Sequence, residues 1–192
     1  MTQNLKIGVI LSSTRKGRVG EVVRDWFLTH AQGRAGMEFG VLDLRDYPLP
    51  FFDESAPPAA KTPDHDVAVA WEEAIAGFDG FIVLTAEYNH GMTGVLKNAF
   101  DYGFKGWQRK PLGTVGYGGV GGARAVEQLR LVAVNFGMVP VAGGVNIAGA
   151  DFIALSKDRD PKALGDHLDK ALSGLLDDME FWGHAVKAAK AG

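Results

Sequence analysis

The chain has 192 residues, no cysteine, and a net charge of −3 from 20 basic and 23 acidic residues. The missing cysteines exclude disulfides, thiolate nucleophiles and cysteine-bound metals. The small net charge does not favour a nucleic-acid partner, and no apolar stretch approaches the roughly 20 residues of a membrane span. We therefore expect one domain over residues 1–192, no nucleic-acid or membrane partner, and a cytoplasmic location.

The predicted elements alternate between strand and helix along most of the chain. In order they are strand Leu5–Leu11, helix Arg18–Ala31, strand Met37–Leu42, helix Asp64–Gly77, strand Gly80–Leu84, helix Thr93–Tyr102, strand Gly113–Tyr117, helix Gly122–Phe136, a last strand that begins with Met138–Ala142, and helix Asp160–Ala189. Asp64 is predicted to cap its helix, Gly137 to end one, and Pro161 to lie in a first turn.

An irregular stretch, Arg45–Pro63, holds most of the prolines. It is too long for an ordinary connection, so we expect it to be functional or to pack on a neighbouring subunit.

Alternating apolar strands and helices predict an α/β fold of three layers, with a parallel sheet covered on both faces. Right-handed crossovers leave few topologies, and the five-stranded flavodoxin-like order 2-1-3-4-5 is our prediction. In such sheets ligands bind beyond the carboxyl ends of the strands. The loops Ser12–Gly20, Thr85–Thr93 and Gly116–Gly122 should therefore converge on one site.

The first of these loops indicates an anion. A buried strand ends at Ser12-Ser13-Thr14-Arg15, and a glycine-containing turn leads to a helix. Free backbone N–H groups at a helix start, hydroxyls and a guanidinium together suit a phosphate. The loop is neither a GxxxxGKS/T phosphate loop nor a GxGxxG fingerprint. Alone, it is equally compatible with a simple serine or threonine cap beside a solvated basic turn.

The second loop carries a more specific pattern, Glu87-Tyr88-Asn89 followed by Gly94–Tyr102 (GVLKNAFDY). Here the sequence resembles the NADPH-dependent FMN reductase family, whose motifs are GSxRxxS and PEYNxxxPGxLKNAxDW. Ser12-Ser13-Thr14-Arg15 with Arg18 is similar to the first motif. The glycine-rich loop Gly118–Arg124 also looks like the family, and the resemblance runs from about Leu5 to Ala142.

The chain departs from that pattern at four positions. Ser12 replaces the family's first glycine, Arg18 its later hydroxyl, and Ala86 and Thr93 two prolines. We expect Arg18 to replace a hydroxyl–phosphate bond by a stronger charge-assisted one. We expect Ala86 and Thr93 to loosen the second loop, because proline would have fixed φ.

The resemblance implies bound FMN, with NADPH or NADH as co-substrate, and no catalytic acid or base in the protein, because the flavin carries the chemistry. The implied phosphate-binding group is Ser12, Ser13, Thr14, Arg15, Arg18, Val19 and Gly20. The implied flavin-ring group is Ala86, Glu87, Tyr88, Asn89, His90, Gly118 and Gly119.

The remaining polar and aromatic residues carry weaker signals. The five histidines show no metal-ligand spacing, so no metal site is expected. Lys97 and Asp101 are predicted to pair across one helical turn. Tryptophans are predicted in the core or at subunit contacts, with Trp107 as the one candidate for stacking on a cofactor.

The function expected from the resemblance is a ping-pong oxidoreductase. Hydride passes from NADPH to the flavin, and then to a quinone, a flavin or a similar small-molecule acceptor. A flavodoxin-type electron carrier without its own substrate is the alternative, and a scaffold that has lost its flavin is a third. The net charge of −3 disfavours the carrier, which is usually strongly acidic. A homodimer or homotetramer is expected, with Phe51-Phe52 completing the neighbour's flavin pocket.

Overall fold

The computed structural model describes residues 4–191 and contains five strands and six α-helices over that range. They are β1 Leu5–Leu11, α1 Gly20–Ala31, β2 Met37–Asp43, α2 Asp66–Ala76, β3 Gly80–Ala86, α3 Gly94–Asp101, β4 Pro111–Tyr117, α4 Ala123–Asn135, β5 Val139–Ile147, α5 Gly149–Asp158 and α6 Asp166–Ala191, with a short 3₁₀ turn at Pro161–Ala163.

The strands form one parallel sheet in the order β2-β1-β3-β4-β5, which confirms the predicted topology. The register aligns the carboxyl ends along a single edge: Leu11 lies beside Asp43, and Tyr117 lies between Ala86 and Ile147. The loops that leave β1, β3 and β4 therefore start side by side.

Two apolar clusters cover the two faces of the sheet. One cluster joins the sheet to α1, α5 and α6, and the other joins it to α2, α3 and α4. The central strands β3 and β4 are buried at every residue, as expected for a parallel sheet covered on both faces, whereas β2 and β5 at the edges have exposed residues.

Trp71 and Trp107 lie in the core, one of the two places predicted for the tryptophans. Trp107 is fully buried and stacks on Phe100 with ring centroids 4.5 Å apart. Trp71 is also fully buried, and its indole N–H donates to the carbonyl of Ala99 at 2.8 Å. Trp107 is therefore not available to a flavin, and its candidacy for stacking on a cofactor is wrong.

Two predicted helix starts, those of α1 and α2, differ from the structure. α1 begins at Gly20 rather than Arg18, since the Arg18 side chain turns back to the loop. The cap of α2 is His65 rather than Asp64, whose carboxylate pairs with Lys61 at 2.6 Å.

The predicted helix Asp160–Ala189 begins too early. Pro161 lies in a 3₁₀ turn, and α6 starts only at Asp166. Helix α5, which ends where Arg159 adopts φ +53°, was not predicted from the sequence.

The proline-rich stretch contains no helix or strand, and it is fastened to α3 by one amide. Asn98 donates from Nδ2 to the Pro50 carbonyl at 2.6 Å and accepts the Phe52 N–H at 3.0 Å. Lys97 and Asp101 pair at 2.6 Å, as predicted. Within residues 4–191, no helix combines the length and the apolar character that a membrane span needs.

Candidate functional site

A crevice lies where the loops after β1, β3 and β4 meet, at the start of α1. Its lining residues come from all three loops and from α5: Ser13, Arg15, Arg18, Val19, Ala86, Glu87, Tyr88, Tyr117, Gly118 and Phe152. The cavity has a volume of about 60 Å³. A water molecule occupies about 30 Å³ in the liquid, so this closed cavity suits a group of phosphate size rather than an aromatic ring.

The first loop presents a helix start without a side-chain cap. The residue at the cap position is Val19, which offers no hydrogen bond to the first turn of α1. The leading N–H groups of a helix have no intrahelical acceptor, and they carry a partial positive charge. Ser13 and Arg15 line the crevice beside this start, and the Arg15 guanidinium makes no ion pair or hydrogen bond with residues 4–191. The chemistry of this part of the crevice therefore suits an anion.

A buried tyrosine hydroxyl also faces the start of α1. Tyr117 is 4% exposed, and its Oη makes no hydrogen bond within the described residues. A Cβ on Gly20 would lie 2.7 Å from this oxygen, so glycine leaves room for the phenol above the first turn. Burial raises the pKa of Tyr117, and the hydroxyl therefore stays a neutral donor. A buried donor without an acceptor is costly, and an anion bound here would satisfy it.

Arg18 is held by protein groups rather than left free for a ligand. Its guanidinium forms a bidentate pair with Asp43 and donates to the Ser13 carbonyl at 2.7 Å, and the side chain is 2% exposed. Burial alone would raise the pKa of Asp43, but the Arg18 hydrogen bonds outweigh it and leave that pKa below its ordinary value. The sequence predicted a direct contact between Arg18 and the phosphate. The geometry does not favour this contact, because the donors of the Arg18 guanidinium already have acceptors in the protein.

Ser12, Ala86 and Thr93, three of the four departures from the family pattern, form one buried hydrogen-bonded cluster. The Ser12 hydroxyl accepts the Ala86 N–H at 3.2 Å, and Thr93 Oγ1 donates to the Ser12 carbonyl. Thr93 Oγ1 also caps α3 by accepting the Leu96 N–H at 3.3 Å. The second loop is thus tied to the first, and the expected loosening is wrong. Ser12 is fully buried, and this bonding occupies its hydroxyl.

The second loop is a tight turn fastened to α4. Asn89 and His90 have φ of +50° and +67°, and Tyr88 and Gly91 bridge the turn. Both turn residues are exposed and lie outside the crevice lining, so the structure does not bring them to the site.

The Glu87 carboxylate accepts from Arg124 Nε at 2.6 Å and from the Arg124 backbone N–H at 3.0 Å. Burial would raise the pKa of Glu87, but Arg124 holds it below the ordinary value.

The third loop reaches the crevice through one glycine. Gly118 lines the cavity at φ +151°, a conformation that side chains rarely adopt. Gly119 lies outside the lining, and so does Thr14, which borders a separate cavity of about 350 Å³ with Arg45 and Tyr47.

Two crevice residues, Tyr117 and Phe152, were not among the candidates from the sequence. Tyr117 ends a correctly predicted strand, so its position at the carboxyl edge was a usable signal. Phe152 lies on α5, a helix that was not predicted from the sequence. Among residues 4–191, no group of three or more histidines and carboxylates is placed to hold a metal ion.

Comparison with known proteins identifies the family. The family model described as NADPH-dependent FMN reductase matches residues 5–152. The chain belongs to this family. It is 37% identical over 132 residues to an NAD(P)H-dependent FMN reductase of Schizosaccharomyces pombe, covering 67% of the chain and 65% of the relative. The chain thus spans slightly less than two thirds of that relative's length.

Two further comparisons agree with this assignment. A 2-hydroxy-1,4-benzoquinone reductase of a Burkholderia species is 31% identical over 144 residues, covering 70% of the chain and 73% of the relative. The structure of FerB, an NAD(P)H:(acceptor) oxidoreductase flavoenzyme from Paracoccus denitrificans, matches with TM-score 0.74 at 23% identity, covering 94% of this chain and 98% of that one. The family suggested by the sequence motifs is confirmed, and its oxidoreductase class, its FMN and its NAD(P)H are those predicted.

Proposed function

We propose that the chain is an FMN-dependent NAD(P)H oxidoreductase that reduces a quinone or a similar small-molecule acceptor in two half-reactions. The observation that carries this proposal is the crevice itself. It combines an uncapped helix start, Arg15 and the orphaned hydroxyl of Tyr117. All three features suit a bound phosphate, which is the charged group of FMN.

The phosphate would be held by Ser13 and Arg15 together with the first backbone amides of α1. Arg15 supplies the charge-assisted hydrogen bonds, and Tyr117 supplies a neutral donor that the folded protein otherwise leaves unsatisfied. Arg18 contributes indirectly by holding the Ser13 carbonyl and pairing with Asp43. Asp43 is needed for this arrangement because a buried guanidinium without a partner is strongly unfavourable.

The flavin ring would lie against the second and third loops, where Ala86, Glu87 and Gly118 already line the crevice. The Glu87 side chain is engaged by Arg124, so its backbone rather than its carboxylate would face the ring. The absence of a side chain at Gly118 permits close approach of a flat group. Because the crevice is small, Tyr88 and Phe152 must move outward to admit the ring.

Bound FMN would supply the hydride relay, accepting from NAD(P)H and delivering to an acceptor that enters after the nicotinamide leaves. The protein supplies no acid or base to this step in our proposal. Its contribution is binding, orientation and backbone donors that stabilise negative charge. The relative that reduces a benzoquinone supports a quinone as the acceptor. The proposal includes both NADPH and NADH as reductants.

The proposal includes a homodimer or homotetramer and a cytoplasmic location. Phe51 is 88% exposed on the proline-rich stretch, next to the amide anchor on Asn98. An exposed aromatic side chain on a fixed segment suits a contact with a second copy. Sedimentation of the wild type and of Phe51→Glu at micromolar concentration tests this part: the wild type should be oligomeric and the variant smaller.

The visible spectrum of the purified protein with FMN tests the activity. Anaerobic NADPH should bleach the flavin absorbance, and a later addition of benzoquinone should restore it without any partner protein. Flavin that is bound but stays oxidised with both NADPH and NADH would contradict the enzyme and favour the electron carrier.

A further inference from the structure

Five carbonyl groups of the first loop accept hydrogen bonds from arginine side chains. Arg18 binds the carbonyl of Ser13, Arg45 binds those of Thr14 and Arg15, and Arg159 binds those of Gly17 and Arg18. The distances run from 2.7 Å, for Arg45 Nη2 to the Arg15 oxygen, to 3.4 Å, for Arg159 Nη1 to the Gly17 oxygen. Neither Arg45 nor Arg159 lines the crevice.

Two carboxylates lie among these arginines, Asp43 on Arg18 and Glu21 on all three. Glu21, in the first turn of α1, is 2.8 Å from Arg45, 3.1 Å from Arg18 and 4.0 Å from Arg159. The three cations come from distant parts of the chain, and Glu21 is the carboxylate that contacts each of them. Glu21 therefore fixes the positions of the side chains that fix the loop.

The direction of the carbonyls determines the direction of the amides. All described peptide bonds are trans. In a trans peptide the C=O and the following N–H point in opposite directions. Of the four amides that follow the carbonyls held by Arg45 and Arg159, those of Arg15 and Arg18 donate within the loop, to Ser13 Oγ and to the Arg15 carbonyl. The other two, of Lys16 and Val19, are thus turned away from the arginines. Neither of these two amides donates a hydrogen bond to a described residue.

We infer that Glu21, Arg45 and Arg159 are positioning residues for the cofactor phosphate, holding the first loop from outside so that its amides face the anion. This inference rests on the proposed function and names the residues that prepare its site. None of the three touches the ligand. Their effect should therefore appear in the binding of the phosphate and not in the binding of the flavin ring.

The inference can be tested by whether FMN binds more tightly or more weakly when the Glu21 carboxylate is removed. A carboxylate at a helix start beside an anion site repels the anion directly, so its removal should tighten binding if direct electrostatics dominates. If Glu21 instead holds the arginines, its removal should weaken binding. The two accounts predict opposite changes for one substitution.

The experiment measures the Kd of FMN and of riboflavin, which lacks the phosphate, by flavin fluorescence. Glu21→Ala should raise the Kd of FMN about fivefold, the size expected when two exposed ion pairs are lost, and leave that of riboflavin unchanged. Asp25→Ala is the matched control. It removes the same charge from the same helix, but Asp25 pairs with Arg24 and contacts no part of the first loop. It should leave both Kd values unchanged.

A second variant, at Arg159, separates the effect of side-chain geometry on FMN binding from the effect of side-chain charge. Arg159→Lys keeps the positive charge but cannot bind two carbonyls with one planar group. It should weaken FMN and spare riboflavin, and this test remains if Glu21→Ala does not fold. The inference is overturned if Glu21→Ala binds FMN as tightly as the wild type or more tightly, or if Arg159→Lys matches the wild type. Wild-type protein that binds no FMN would instead refute the proposed function.

Discussion

The hydroxyl of Tyr88 lies 2.7 Å from Oγ of Ser13, although 75 positions separate the two residues in sequence. This contact joins the loop after β3 to the loop after β1, directly over the start of α1. Ser13 is buried, and its hydroxyl is the group that the family resemblance assigns to the phosphate. Tyr88 therefore occupies a hydrogen-bonding position at Ser13 that a phosphate would need.

Removing this contact should make the crevice easier to enter. Tyr88→Phe should lower the free energy of unfolding of the ligand-free protein by about 1 kcal/mol, the net value of one hydrogen bond. The Kd of FMN should fall up to about fivefold, since Ser13 is then free before binding. Urea unfolding and fluorescence titration measure the two effects. A higher Kd for FMN would indicate that Tyr88 assists the phosphate rather than competing with it.

Arg15 and Arg18 should behave differently although both are arginines of one loop. Arg15 has no protein partner in the described chain, so Arg15→Ala should raise the Kd of FMN about 10- to 100-fold, the value of a charge-assisted hydrogen bond. Riboflavin affinity should not change. Arg24→Ala, which removes an equal charge from the exposed side of α1, is the control and should leave both affinities as they are.

Arg18→Ala should instead lower the free energy of unfolding by about 3 kcal/mol, because it leaves Asp43 partly buried without its partner. An Arg18→Ala protein as stable as the wild type would contradict the structural role assigned to the pair of Arg18 and Asp43.

The cluster of Ser12, Ala86 and Thr93 predicts strong coupling between two substitutions. Ser12→Gly leaves the Ala86 N–H buried without an acceptor, which should cost about 2 kcal/mol. In an Ala86→Pro background no N–H remains, so the same substitution should cost less than about 1 kcal/mol. Urea unfolding of the four proteins forms a double-mutant cycle. Additive free energies within about 0.5 kcal/mol would show that the Ser12–Ala86 bond has no energetic role.

The stability of the proline-rich stretch should depend on pH through the pair of His65 and Asp53, which lie 2.9 Å apart. The hydrogen bond to Asp53 raises the pKa of His65 above its ordinary value of 6.5. A raised folded-state pKa means that the stabilisation is complete below the unfolded-state pKa and is lost as the pH rises through the folded-state one. After correction for the intrinsic, base-catalysed rise of amide exchange with pH, residues 51–64 should therefore be less protected at about pH 8 than at about pH 6.

Asp53→Asn is the matched control for this effect. In it, the pKa of His65, followed by NMR titration, should fall towards its ordinary value, and the difference in protection between the two pH values should become smaller. An unchanged His65 titration in the variant would exclude Asp53 as the cause.

The sequence predicted those parts of the fold and site that depend on local pattern. Continuous apolar strands predicted β1 and β3 closely, and their polar ends predicted which loops would meet. The position of Phe152 was missed because α5, the helix that carries it, was not predicted from the sequence.

The roles of Arg18, Arg45 and Arg159 depended on tertiary partners. A guanidinium in a loop can face a ligand or a carbonyl, and only the position of Asp43 or Glu21 decides which. Residue type alone therefore assigned Arg18 to the phosphate.

The central claim is that this crevice binds FMN through its phosphate. Fluorescence titration of the wild-type protein with FMN and with riboflavin, each with and without inorganic phosphate, tests it most directly. FMN should bind at least about tenfold more tightly than riboflavin, and phosphate should compete with FMN only. Equal affinities for the two flavins, with no effect of phosphate on either, would contradict the account.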